Sequence, residues 1–181
     1  MHKKNLWRVL LMTLICLCMA VPALAVEMPN LEYEEFALGN IRPGMQLSAI
    51  VTEFGQPAQQ EKYLHYSYGK KLKGIAYVYS DGFTVFALPT KRKNVSTVIG
   101  VSCPREGLAT PSGFAVGKPF AMVEAKYGKV IPLPDGGLEP DDRAELAQGY
   151  NFYLYTYGPS VMKFKVDRGG TIRNITFMMG A

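Results

Sequence analysis

IRPGMQLSAIVTEFGQP, residues Ile41 to Pro57, decides the fold, because FAVGKPFAMVEAKYGKV, Phe114 to Val130, echoes it 73 positions later. Gly44 aligns with Gly117, Leu47 with Phe120, Ile50 with Val123, Phe54 with Tyr127 and Gly55 with Gly128. Each copy runs glycine, apolar residues at helical spacing, glycine, which predicts one short amphipathic helix with its stop signal. In the first copy Leu47, Ile50, Val51 and Phe54 share a face; Pro57 prevents continuation, and Gly55 supplies the left-handed residue of a helix end. In the second copy Pro119 suits the first turn, where the amide hydrogen it lacks has no partner anyway.

Downstream of each helix the period changes to two. YLHYSY, GIAYVYS, FTVFALP and VSTVIGVS follow the first copy; YNFYLYTY, VMKFKV and TIRNITFMM follow the second. Alternation between turn-rich breaks predicts antiparallel meanders, with Asp81-Gly82 and Arg168-Gly169-Gly170 as hairpin turns. The expected class is α+β: two tandem repeats, each a short helix or helix pair packed on a three- to four-stranded antiparallel sheet, with the sheet's other face free. The boundaries are a lead-in over 26–40, a first repeat over 41–102, a linker over 103–113 and a second repeat over 114–181. An acidic insertion at 131–147, reading as a solvated loop, has no counterpart in the first copy.

Residues 1–25 combine Lys3, Lys4 and Arg8 with an apolar run and the small-residue pattern Ala23-Leu24-Ala25, which predicts a signal peptide cleaved after Ala25. The apolar run is shorter than a spanning helix needs, so no stable membrane span is expected after cleavage. Three of the 20 Lys and Arg lie in that leader, leaving 17 against 15 acids and a net charge of +2. No basic stripe or nucleic-acid motif is present, which excludes that class of partner. Cys103 is the one cysteine outside the leader, so no intrachain disulfide is expected. This suits a bacterial periplasm or an extracellular setting in which the fold needs no bridge.

Chemistry is sparse. His65 is the one histidine beyond the leader, so there is no zinc-ligand spacing, and no metal or cofactor is expected. A thiol nucleophile would need Cys103 beside a base, and His65 is the one histidine available. The acids Asp135, Glu139, Asp141 and Asp142 match no calcium-loop pattern. The unusual feature is tyrosine, 11 in all. Tyr66, Tyr68, Tyr77 and Tyr79 in the first half and Tyr153, Tyr155 and Tyr157 in the second lie on strands, and an open sheet face bearing them is a contact surface for protein or glycan.

The run Gly44-Met45, the helix and then Phe54-Gly55-Gln56-Pro57 resembles the glycine, helix, Gly-x-Pro segment of BamE-like (SmpA/OmlA-type) envelope proteins. The doubled form resembles the tandem arrangement of the β-lactamase inhibitory protein. The resemblance implies short helices on three-stranded sheets and a non-catalytic protein-binding module. The expectation is thus an exported envelope protein, not an enzyme, that binds another envelope or secreted protein. The alternatives are a cell-wall glycan-binding module and a secreted hydrolase or thiol-dependent enzyme.

Overall fold

The computed structural model describes residues 30–67, 69–92 and 95–180. The leader read from residues 1–25 and the candidate Tyr68 lie outside them. The strands are β1 (Gln59–Ser67), β2 (Lys70–Val78), β3 (Thr84–Pro89), β4 (Ser96–Cys103), β5 (Asn151–Tyr157), β6 (Ser160–Val166) and β7 (Ile172–Met178). The helices are α1 (Leu47–Phe54), α2 (Ala121–Tyr127) and α3 (Pro140–Ala147).

All seven strands form one antiparallel sheet in the order β1-β2-β3-β4-β7-β6-β5. This corrects the expectation of two tandem helix-plus-sheet repeats: β4 and β7 pair from Gly100↔Met178 to Cys103↔Ile175, and the sheet runs on without a break. The physical reason is the cost of an edge. Two separate meanders would each expose a row of unpaired backbone groups along β4 and β7, and pairing them satisfies both rows. With three helices of seven or eight residues against seven strands among the described residues, the fold is β-rich α+β.

The two motif stretches are alike in local geometry within that single sheet. Ahead of α1, Val98 donates to the Met45 carbonyl and Gly44 to the Val98 carbonyl, joining the motif to β4. Ahead of α2, Gly117 donates to the Ile172 carbonyl and Ile172 to the Lys118 carbonyl, joining it to β7. Ile50 and Val123 are the buried anchors of the two helices. Both helices end at a glycine of positive φ, Gly55 at 81° with ψ −170° and Gly128 at 86° with ψ 165°. The stops are therefore extended beyond a positive φ, rather than the left-handed helical turn expected. A tyrosine caps each one: the Tyr79 hydroxyl, just past β2, donates to the Gly55 carbonyl at 3.2 Å, and Tyr155 on β5 to the Gly128 carbonyl at 2.9 Å.

Alternation sorts the strand residues cleanly. Ile75, Tyr77, Val85, Ala87, Val98, Val101, Cys103, Ile175, Phe177, Met162, Phe164 and Tyr155 face α1 and α2 in one continuous core. The opposite face carries Tyr63, His65, Phe86, Ser102, Thr176, Lys163 and Lys165. That second face is not left free: the acidic insertion folds as α3 and reaches the sheet there through Asp142 to Lys163 and Glu145 to Lys165. The lead-in makes a 3₁₀ turn at Tyr33–Glu35, and Leu31 donates to the Thr156 carbonyl at 2.8 Å, covering the β5 edge.

Candidate functional site

The structure separates the candidate tyrosines by burial. Tyr77, Tyr79 and Tyr155 are core residues at 7%, 5% and 0% exposure, and Tyr77 also lines a groove beside α1. Tyr153 stacks on Phe120, ring centroids 4.2 Å apart, and is half-buried. Tyr157 is 45% exposed but leans on Tyr33 at 5.7 Å. Tyr66 is 62% exposed. The strand face bearing Tyr153, Tyr155 and Tyr157 is the helix-covered one, so the expected open tyrosine face is instead largely core. Aromatic content pointed to both possibilities, and the side on which the helices pack selects between them.

Two exposed large apolar side chains, Leu64 and Tyr66, lie together on the β1–β2 hairpin. β3 pairs with β2 over Ile75 to Val78, whereas β1 and β2 pair along their full lengths. The Lys70 to Gly74 end therefore projects as a two-stranded arm. Antiparallel partners share a face, so Leu64↔Lys73, Tyr66↔Lys71 and Lys62↔Ile75 place Leu64, Tyr66 and three lysines together on the helix side. Leu64 is 53% exposed, and the Lys71 ammonium lies 5.6 Å from the Tyr66 ring centroid.

Along β2 this face leads from the arm to Ile75 and then Tyr77, which lines a groove beside α1. The groove holds about 590 Å³, with Leu47 and Val51 on its helix wall and Gln46, Ser48, Thr52 and Ser96 supplying amide and hydroxyl groups. Its size is that of a ligand-scale cleft. The strip from groove to arm is apolar along its floor and rimmed by cations at its outer end.

The proposed thiol pair is not brought together. Cys103 is buried on the core face of β4, and burial pushes its thiol pKa up, which disfavours the reactive thiolate. His65 lies on the opposite face, on edge strand β1. Burial pushes His65 down and Tyr63 up to about 12; the His65 Nε2 and the Tyr63 hydroxyl have no hydrogen-bond partner among the described residues. Among those residues no group of three or more His, Cys, Asp or Glu is placed to hold a metal ion.

A buried charged cluster centres on Glu35, a residue that no sequence motif marks. The Glu35 carboxylate, 1% exposed, accepts from the Ser112 amide at 3.1 Å, the Ser112 hydroxyl at 2.6 Å and the Tyr127 hydroxyl at 3.0 Å, with the Lys126 ammonium 3.7 Å away. Burial pushes its pKa up, but the hydrogen bonds from Ser112, Thr110 and Tyr127 outweigh this and hold it below the usual carboxylate value. Lys126 is raised by Tyr127, Glu32 and Glu35, which favours its protonated form. The cluster ties lead-in, linker and α2 together. A second tie joins the linker to the first half: Arg105 is ion-paired with Asp81, and its guanidinium lies 4.3 Å from the Phe83 ring centroid and 5.4 Å from those of Phe54 and Tyr79.

No family model and no curated protein matches the chain. Among solved structures it is similar to a cysteine-rich secretory protein from Staphylococcus aureus, at 14% identity and a TM-score of 0.42, over 76% of this chain and 44% of that one. The chain thus spans less than half the length of that protein. The resemblance to BamE-like proteins and to the tandem β-lactamase inhibitory protein is corrected, since no family model and no curated protein of either kind matches the chain. Its three-stranded units also give way to one seven-stranded sheet. No helix of the described residues is long and apolar enough to cross a membrane.

Proposed function

We propose that this is an exported, non-catalytic binding module that takes an extended, acidic segment of another envelope or secreted protein along the strip from the α1 groove to the β1–β2 arm. The observation that carries the reading is the placement of Leu64 and Tyr66, 53% and 62% exposed, among Lys62, Lys71 and Lys73 on the face that continues into the groove. An exposed leucine and tyrosine framed by lysines supply apolar contact area and attraction for an acidic partner. The groove supplies the enclosure that a flat surface lacks. Export is supported by the leader-like sequence of residues 1–25.

The test is site-specific photocrosslinking in the native host. A crosslinker at position 64 or 66 should trap one discrete acidic protein. The same group at Ile131, 69% exposed on the insertion, should not. Replacing Lys62, Lys71 and Lys73 with Glu should abolish the adduct without lowering the melting temperature. Equal trapping at Ile131, or an adduct indifferent to the charge reversal, would refute the reading.

A further inference from the structure

We infer that the acidic segment of the proposed function joins the seven-stranded sheet as an added strand, pairing its backbone with the outer edge of β1, a step that rests on that reading of the partner. The two ends of the sheet differ in how their edges are closed. At the β5 end the carbonyls of Phe152 and Thr156 accept from the Leu133 and Leu31 amides at 2.7 and 2.8 Å, so the insertion and the lead-in close that edge. β1 forms the other end, and among the described residues no backbone bond reaches its outer side. In an antiparallel ladder alternate residues point their amide and carbonyl groups away from the partner strand. β1 therefore offers a row of unpaired donors and acceptors along its nine residues.

An edge strand is commonly blunted by shortness, proline, a bulge or a covering element. β1 lacks these devices. It runs from Gln59 to Ser67 without proline and pairs with β2 in one unbroken register, whereas the β3–β4 and β6–β7 pairings each contain a shift. The Tyr63 ring does not shield the edge: it lies inward across Gly74, where an added Cβ would collide with it, and meets Phe86 edge-on at 5.3 Å. That contact also holds β1 in place against the body of the sheet. What guards the edge is charge, and its sign selects the occupant. Lys62, Lys70, Lys71 and Lys73 are exposed on the hairpin, Glu61 is its one acid, and none of the four lysines has an ion-pair partner among the described residues. Two copies brought edge to edge set these cations against each other, whereas an acidic strand is drawn to them. Its alternate side chains then lie beside Lys62, Leu64 and Tyr66, the residues on which the proposed function stands.

The probe is a capped synthetic peptide of alternating glutamate and valine, of the same length as β1, with two twins: one N-methylated at every backbone amide, the other carrying lysine in place of glutamate. Calorimetric titration of the full chain should show saturable binding of the parent peptide, weakened about tenfold or more by N-methylation and lost with lysine. Amide exchange followed by nuclear magnetic resonance should slow at the alternate β1 residues that point away from β2, and nowhere on α3. An N-methylated twin that binds as tightly as the parent, or unchanged exchange along β1, overturns strand addition while leaving an acidic partner on the strip; photocrosslinking at positions 64 and 66 decides that reading separately. No saturable binding of the parent peptide also overturns the inference, as does equal affinity for the lysine twin. A chain that sediments as a dimer before peptide is added, with the same β1 amides already protected, assigns the edge to a second copy and overturns the choice of occupant.

Discussion

At Tyr155 one side chain joins packing to a polar constraint. Its ring is fully buried against Phe120 and Phe164, and its hydroxyl donates to the carbonyl of Gly128 at the end of α2. Replacing it with Phe should leave that carbonyl without its partner and cost about 1–2 kcal/mol, whereas Tyr155→Ala should cost about 3–5 kcal/mol through the cavity it opens. Tyr66→Ala should change stability by no more than about 0.5 kcal/mol. Urea unfolding of the three variants checks the order, and a large loss for Tyr66→Ala would mean that the arm packs elsewhere. Glu35 gives a pH signature. An unfolded glutamate titrates near 4.3, and the folded carboxyl is lowered, so its stabilisation is fully present above that value and is lost as pH falls toward the folded pKa. The native protein should lose stability below about pH 4.5. Glu35→Gln should be less stable at pH 7 and lose less on acidification, as thermal melts from pH 7 to 3 would show. Nothing in the local sequence marks Glu35, because its partners lie 77 and 92 positions away at Ser112 and Tyr127. The alternation of Tyr153, Tyr155 and Tyr157 with Phe152 and Leu154 is legible, but the choice of covered face depends on where α2 docks.

The helix ends are where sequence pattern and conformation agree most closely. Gly55 and Gly128 mark the stops of α1 and α2 as the paired motifs predict, yet both adopt positive φ with extended ψ, a region only glycine enters without strain. An added Cβ at Gly55 meets no atom within 4 Å, so Gly55→Ala isolates the backbone cost. It should destabilise by about 1–3 kcal/mol with the native circular dichroism retained, and a neutral outcome would show that the stop relaxes to another conformation. The acidic insertion reads as a solvated loop in sequence; α3 forms there with Pro140 in its first turn and with its acids paired to strand lysines. Pro140, the helix-forming run Arg143 to Ala147 and Gly149 are the signal that was available. Its ion pairs could not be read from sequence, since Lys163 and Lys165 lie 20 or more residues away. The β1–β2 arm should be the mobile counterpart. Hydrogen exchange should release the amides of Lys70 to Gly74 well before those of Ile75 to Val78, which β3 flanks. Equal protection along β2 would contradict the projecting arm and weaken the case for a binding surface there.

The join between β4 and β7 makes the chain one cooperative body, and this is the feature a linear reading least reveals. Residues 41–103 and 114–178 each contain a motif helix and a set of strands, so each is locally complete by pattern. Pattern shows that both end on strands, Ser96–Cys103 and Ile172–Met178; what it omits is that the outer edges of these strands pair with each other. The pairing buries Val101 against Phe177 and Cys103 against Ile175, and it aligns Ser102 with Thr176 on the opposite face. The core is correspondingly continuous, running from α1 beneath the joined sheet to α2. Equilibrium unfolding should therefore be a single transition, coincident by far-ultraviolet and tyrosine signals, with calorimetric and van't Hoff enthalpies equal. Proline at Val101 tests the join itself: a central strand does not accommodate proline, which removes a ladder donor. If the halves depend on each other, Val101→Pro should abolish folding of both, giving loss of the whole sheet signal. If it instead yields two transitions, each retaining about half the amplitude, the halves are autonomous and the continuous sheet is only a docking of finished units. Residues 30–103 expressed alone sharpen the same point. With β4 uncovered and no helix over its edge, that fragment should self-associate, and light scattering showing a stable monomer would argue that β7 is not needed to complete it.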